Sequence, residues 1–192
     1  MGCQMRIIAG KLKGRRLHSF EGKQTRPTSD RLRESIFNIL SFQIQHTVVL
    51  DLFAGTGALA IEAISRGADS AVLVDSSPQA LSLIEQNVRS FSLEKRLRTI
   101  RWDIVCSLKP LQYIQPRFNL VFMDPPYNRN MVVPALDHLQ QSGSLAEDAC
   151  IVVEHSVQEP IHADRPELVL YDQRRYGKTM VSFLSHQPIH EQ

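Results

Sequence analysis

From Val48 onward the chain alternates between two hydrophobic patterns. Short apolar runs of strand length, Val48 to Leu52, Ser70 to Asp75, Leu97 to Asp103, Phe118 to Met123 and Cys150 to Glu154, are separated by segments in which apolar residues return at helical spacing: Ala58 to Arg66, Pro78 to Ser90 and Met131 to Gln141. A strand that is apolar throughout is covered on both faces, and a helix between two such strands returns the chain so that both run the same way. The pattern predicts an open α/β sandwich around a largely parallel sheet. Two more strand-like runs, Glu167 to Arg174 and Thr179 to Ser185, are joined around Gly177 with no helix between them, so an antiparallel hairpin is expected at the end of the chain.

Upstream the pattern changes. Arg6 to Ala9 and Arg15 to Phe20 are β-compatible pieces flanking Gly10 and Gly14, and they predict a small hairpin. Pro27 bars helix before it and Thr28 suits an N-cap, after which Leu32, Ile36, Ile39 and Leu40 form the apolar stripe of a helix that packs on the body. The organisation expected is an N-terminal extension at 1–45, a main domain at 46–187 and a frayed tail at 188–192.

Composition changes this picture mainly through charge. With 192 residues, 43% hydrophobic and 22% charged, the chain can bury a core without metal or disulfide staples. Its apolar runs fall short of the roughly 18 to 20 residues of a membrane span, so a cytoplasmic protein is expected. Cys3, Cys106 and Cys150 are too scattered for a disulfide framework or a zinc cluster. Cys106 and Cys150 read as buried thiols, and no metal is expected. The net charge of +2 conceals an asymmetry: residues 1–34 hold nine Lys or Arg against three acids, while the remainder holds 13 against 17. A basic head on an acidic body fits a chain whose first segment meets a polyanion, through Arg6, Lys11, Lys13, Arg15 and Arg16. Arg31 and Arg33 lie about 200° apart on a helix of 3.6 residues per turn, so at least one of them must do something else.

In open α/β sheets ligands sit beyond the carboxyl ends of the strands. The residues predicted there are Asp51-Leu-Phe-Ala-Gly55-Thr-Gly57, Asp75, Asp103 and Asp124. Gly55-Thr-Gly57-Ala-Leu-Ala60 with Asp75 twenty residues after Gly55 fits a nicotinamide dinucleotide fingerprint, but Asp51 would repel a pyrophosphate. The same acids suit S-adenosylmethionine, which carries an ammonium and a sulfonium and no phosphate. Asp51, Phe53, Ala54, Gly55 and Gly57 then serve the methionine end, Asp75 and Ser76 the ribose, and Asp103 and Ile104 the adenine. Each acid taken singly could equally cap a helix or turn.

The most specific tetrapeptide is Asp124-Pro125-Pro126-Tyr127, directly after a predicted strand. Two prolines stiffen the backbone and leave its carbonyls free to accept. An aromatic amino group is a weak nucleophile, and Asp124 with the Pro125 carbonyl could hold its two N–H bonds so that the nitrogen lone pair is aimed at a methyl donor, while Tyr127 stacks on the base. The histidines offer no triad, and His155 reads as a satisfied surface residue.

These residues resemble one family, the bacterial 16S rRNA guanine-N2 methyltransferases of the RsmD type. The resemblance rests on Arg6-Ile-Ile-Ala-Gly10 with Gly14-Arg-Arg-Leu17, on Arg26-Pro-Thr-Ser-Asp30-Arg-Leu-Arg-Glu34, on Asp51 to Gly57 and on Asp124 to Tyr127. It implies a Rossmann-like, seven-stranded class I methyltransferase sheet and S-adenosylmethionine as cofactor, with S-adenosylhomocysteine as its product. The implied substrate is a guanine of 16S rRNA in the small ribosomal subunit or an assembly intermediate. It also implies that Arg26 to Glu34 lies close to the catalytic pocket, adding Arg26, Thr28, Arg31 and Arg33 to the candidate RNA contacts. A monomer is expected. The same chemistry on adenine N6 or a glutamine, and a non-catalytic RNA-binding assembly factor, stay open beside it.

Overall fold

The computed structural model describes residues 5–20, 30–161 and 165–188. The chain forms a seven-stranded, mostly parallel sheet with one antiparallel hairpin, and it divides after Trp102 into two compact units.

In the first unit, α1 (Asp30–Ile39) precedes β1 (Val48–Leu52), α2 (Ala58–Arg66), β2 (Ser70–Asp75), α3 (Pro78–Ser90) and β3 (Leu97–Arg101). The strands run parallel in the order β3-β2-β1. Local chemistry sets the boundaries of the helices. Gly57 enters α2 at φ +76° and Gly67 ends it at φ +116°, conformations that favour glycine. Ser77 caps α3 by accepting from Ala80 N, and Pro78 fills the first helical position. A Cβ on Gly57 would stand 2.9 Å from Leu73 Cδ2, so the turn also needs glycine for helix-to-strand packing.

In the second unit β4 (Phe118–Met123) and β5 (Leu145–Ser156) are parallel, with α4 (Val132–Gln141) between them in sequence. β6 (Leu168–Tyr176) and β7 (Thr179–His186) form the expected hairpin. β7 pairs with β5 as well, so β6 is the outer strand of the order β4-β5-β7-β6.

Several expectations need correction. The N-terminal hairpin forms but is short: the antiparallel bridge Arg6↔Arg16 is flanked by bonds from Ile7 N to the Arg15 carbonyl, from Gly14 N to the Ile7 carbonyl and from Leu17 N to the Met5 carbonyl, around a 3₁₀ turn at Gly10–Leu12. The pairing does not extend further because buried side chains of α2 and α3 take the neighbouring N–H groups. Glu62, 0% exposed, accepts from Ile8 N at 2.8 Å and Ala9 N at 3.0 Å. Ser65 Oγ accepts from Leu12 N, and Asn87 Oδ1 from His18 N. Gly10 is indispensable to this docking, because a Cβ there would lie 1.9 Å from the Ser65 carbonyl oxygen. In α1 Ile39 is 36% exposed, and Phe37 is buried in its place beside Leu32, Ile36 and Leu40. The third strand stops at Arg101, short of Asp103. Cys106 is exposed while Cys150 is buried, and His155 is buried too. Arg26, the proposed cap Thr28, Cys3 and tail residues 189–192 lie outside the described residues.

Glu62 gives the first prediction. Its carboxylate also accepts from Arg66 Nε at 2.7 Å, so Glu62→Gln replaces one acceptor oxygen by an amide donor facing donors. A loss of about 1–3 kcal/mol in stability is expected, read by urea unfolding, together with early proteolytic cleavage within residues 5–20.

Candidate active site

At the carboxyl end of β1 the backbone takes a run of left-handed turns, with φ +60° at Phe53, +56° at Gly55 and +76° at Gly57. Asp51 lies beneath it, 2% exposed, and its Oδ2 accepts from Ala60 N at 3.1 Å in the first turn of α2. Burial raises its pKa to about 8, and the nearby Asp75 charge adds to the rise against that one hydrogen bond. Asp75, at the end of β2, accepts from Gly55 N at 3.0 Å through one oxygen and from Ser77 N at 2.9 Å through the other. It therefore braces the glycine loop against the start of α3. Its carbonyl accepts from Trp102 N at 3.1 Å. Ala54 is buried and Ser76 exposed.

Asp51 and Asp75 thus make the capping bonds that strand-end acids often make. Capping alone does not explain a carboxylate buried at such a cost to its ionisation, nor Gly55, where an added Cβ would meet nothing nearer than 3.9 Å. At Gly55 the absence of a side chain leaves the backbone of the loop open to close approach.

In the second unit Asp103 is exposed and Ile104 buried. Asp103 accepts from Val105 N at 3.0 Å and from the Cys106 thiol at 3.3 Å, so it opens the turn that ends the strand early. Beyond β4, Asp124 is half-buried, Pro125 buried, Pro126 exposed and Tyr127 half-buried. The Tyr127 hydroxyl donates to Glu154 Oε1 at 2.7 Å and stands 3.1 Å from Thr179 Oγ1, and burial pushes its pKa upward. The chain then turns through Asn128 and Asn130, both left-handed at φ +56° and +54°. Their N–H groups donate to the two oxygens of Glu159 at 2.6 and 2.8 Å. Two carboxylates therefore hold the Asp124–Tyr127 loop, one by its aromatic side chain and one by the backbone that follows.

Sequence reasoning missed Glu154, Thr179 and Glu159. A signal existed only for Glu154, an acid ending an apolar run. His155 beside it bonds Ser182 Oγ at 2.7 Å and the Ser156 carbonyl at 3.1 Å, and burial lowers its pKa, so its work is internal. Glu159→Ala frees the backbone after Tyr127. A displacement of about 1 Å at a reacting group can cost 10²-fold, so a fall of roughly ten- to a hundredfold in kcat is expected with unchanged cofactor affinity.

Among the candidate polyanion contacts Lys11, Lys13, Arg15, Arg16 and Arg31 are exposed. Arg6 is exposed and 3.4 Å from Asp30. Arg15 lies over the Phe91 ring at 4.4 Å and donates to the Ser90 carbonyl. Arg33 is the helix arginine with another task. It is 1% exposed, donating to the Arg6 carbonyl and to Asp30 Oδ1, so it ties α1 to the N-terminal segment and is withdrawn from the contact set. Among the described residues no cluster of His, Cys, Asp and Glu could hold a metal ion, and no helix is long and apolar enough to cross a membrane.

A family model described as conserved hypothetical protein 95 matches residues 5–185. The putative rRNA methyltransferase YlbH of Bacillus subtilis is 35% identical over 178 residues, covering 93% of this chain and 97% of its own. The ribosomal RNA small subunit methyltransferase D of Escherichia coli is 36% identical over 155 residues, 81% of this chain and 76% of its own. Among solved structures, the putative methyltransferase yhhF from Escherichia coli superposes with a TM-score of 0.83 at 29% identity, covering 96% of this chain and 99% of that one. SMU.776, a putative methyltransferase complexed with SAH, shares the fold at a TM-score of 0.60 and 16% identity, over 81% of this chain and 48% of its own. The fold is that of the class I S-adenosylmethionine-dependent methyltransferases.

Proposed function

We propose that this chain, which belongs to the conserved hypothetical protein 95 family of RsmD-type rRNA methyltransferases, methylates the exocyclic N2 of a guanine in 16S rRNA within the small ribosomal subunit or its assembly intermediate. The observation that carries this reading is the Asp124–Tyr127 loop, stiffened by two prolines and held by Glu154 and Glu159. S-adenosylmethionine, when bound, supplies its methyl as an electrophile on a sulfonium. Asp51 takes its ammonium, Asp75 and the Gly55 loop its ribose, and Asp103 its adenine. Asp124 and the Pro125 carbonyl accept the two N–H bonds of the guanine amino group and orient its lone pair, and Tyr127, fixed through its hydroxyl, presents a ring for the base to stack on. With the nucleophile held in this way, the methyl would pass directly from sulfur to nitrogen without a covalent enzyme intermediate, and the methylated nitrogen would then release one of its two protons to the Asp124 carboxylate or to water. Exposed cations of the N-terminal segment hold the RNA through its phosphates.

The test offers the protein radiolabelled S-adenosylmethionine with undermethylated small subunits, naked 16S rRNA and duplex DNA in parallel, followed by nucleoside analysis. Label in N2-methylguanosine from a ribosomal substrate is expected. Label in N6-methyladenine would keep the chemistry and move the substrate, and no label in any of the three would sink the reading.

A further inference from the structure

A second cationic surface stands outside the N-terminal segment, in the second unit, at the tip of the β6–β7 hairpin. Residues directly opposite one another on paired strands share a face of the sheet. Glu154 pairs with Val181 and Ser156 with Thr179 across β5 and β7, while Arg174 pairs with Val181 and Tyr176 with Thr179 across β6 and β7. Arg174 and Tyr176 therefore share a face with Glu154 and Thr179, the two residues that hold the Tyr127 hydroxyl. The turn itself is tied to the same corner, since Val157 N donates to the Lys178 carbonyl at 3.1 Å.

The tip carries Arg174 on this face, Arg175 on the opposite face and Lys178 in the turn, all exposed, against the single carboxylate of Asp172. Arg174 Nε bonds Asp172 at 3.0 Å and Arg175 Nε bonds the Gly177 carbonyl at 3.0 Å. These bonds stiffen two long side chains without burying them. A fourth exposed cation, Arg129, sits between the two asparagines clamped by Glu159. Glu154 is buried and Glu159 and Asp172 are half-buried, and all three keep their charge, but the exposed charges of this corner are the four cations.

We infer that Arg174, Arg175 and Lys178, with Arg129, form a second RNA-binding surface that grips the phosphates flanking the nucleotide presented to the Asp124–Tyr127 loop. This rests on the function proposed above, because a base drawn out of its stack into that loop brings its own 5′ and 3′ phosphates to the loop's rim. Cations at the rim position the strand without reading its sequence. The N-terminal cations belong to the other unit, and the hairpin's role is to hold the target nucleotide's neighbours.

The test is filter binding of an unmodified 16S rRNA transcript across a salt series, comparing wild type with the triple variant Arg174→Gln, Arg175→Gln, Lys178→Gln. A control triple replaces Lys95, Arg98 and Lys109, exposed cations of other elements, by glutamine. Each phosphate contact to single-stranded RNA contributes about 0.7 to the slope of log affinity against log salt. The hairpin variant should therefore lose about two units of slope and bind roughly a hundredfold more weakly near 0.1 M salt. Its melting temperature and cofactor affinity should not change, and the control should bind as wild type does. Wild-type slope and affinity in the hairpin variant, or an equal loss in the control, would overturn the inference while leaving the methylation reading intact. A defect confined to ribosomal particles, with naked RNA bound normally, would assign the tip to a protein contact and also overturn it. Wild-type protein that fails to bind the transcript and to methylate any ribosomal substrate would sink the reading itself.

Discussion

Asp124→Ala should lower methyl transfer by at least about 10³-fold, the upper range for loss of one preorganised polar group that acts in the transition state, while cofactor affinity stays within about threefold of wild type. The Asp124 carboxylate supplies one of two acceptors for the amino N–H bonds, and without it the nitrogen lone pair has no reason to leave conjugation with the ring. Little else should change. Pro125 and Pro126 still stiffen the loop, and its outer anchors, Tyr127 on Glu154 and the Asn128 and Asn130 amides on Glu159, do not pass through Asp124. Trp102 is the single tryptophan, and its backbone N–H bonds the Asp75 carbonyl, so its fluorescence offers a cofactor titration in the variant. A variant that no longer binds cofactor would place Asp124 in the cofactor's site. A variant that keeps wild-type turnover would leave the amino group to be oriented by other groups. Asp124→Asn separates charge from geometry, because the amide keeps one acceptor oxygen and loses the anion. An intermediate rate is expected if both contribute.

The sequence was most legible where burial was complete. β1, β2, β4, α2 and α3 begin and end where the hydrophobic pattern puts them, because strands covered on both faces leave uninterrupted apolar runs between cap and turn residues. It was least legible where tertiary contacts compete with local preference. β5 begins at Leu145, five residues before the apolar run, and its first turn of sequence exposes Glu147 and Asp148 with Asp148 at φ +57°, which no alternation rule reports. The insertion of β7 between β5 and β6 is a non-local pairing that a hairpin signal cannot reveal. The positions of Asp51, Asp75 and Asp124 followed from strand ends alone. The acids that fix the neighbouring loops did not: Glu159 reaches the Asn128 and Asn130 amides across about thirty residues, and Glu62 finds its partners only when residues 5–20 dock on it. Arg33 shows the reverse, since helical geometry required that it or Arg31 have another task, and the structure buries Arg33.

Affinity for S-adenosylmethionine should rise with pH between about 6 and 7.5, by up to about tenfold per unit, while the stability of the free protein falls over the same interval. Both follow from Asp51, whose pKa is raised by burial to about 8 from the ordinary carboxylate value of 3.8. Between those values the folded protein holds a proton that the unfolded chain has released, so stability from this group is present below about pH 4 and is lost as pH rises towards 8. An ammonium placed beside the carboxylate reverses the preference and favours the ionised form. Binding near neutral pH must therefore expel a proton, which calorimetry in buffers of different ionisation enthalpy would register. Asp51→Asn retains an acceptor for Ala60 N and cannot ionise. It should weaken cofactor binding by about 2–5 kcal/mol, the usual cost of truncating one partner of a buried charge pair, flatten the pH dependence of affinity, and leave the free protein at pH 8 at least as stable as wild type. The opposition of the two trends is the diagnostic, because a group with only a capping role would give the stability trend alone. Wild-type affinity that stays level from about pH 6 to 7.5, with no proton released, would mean that the ammonium is bound elsewhere and that Asp51 serves only the first turn of α2.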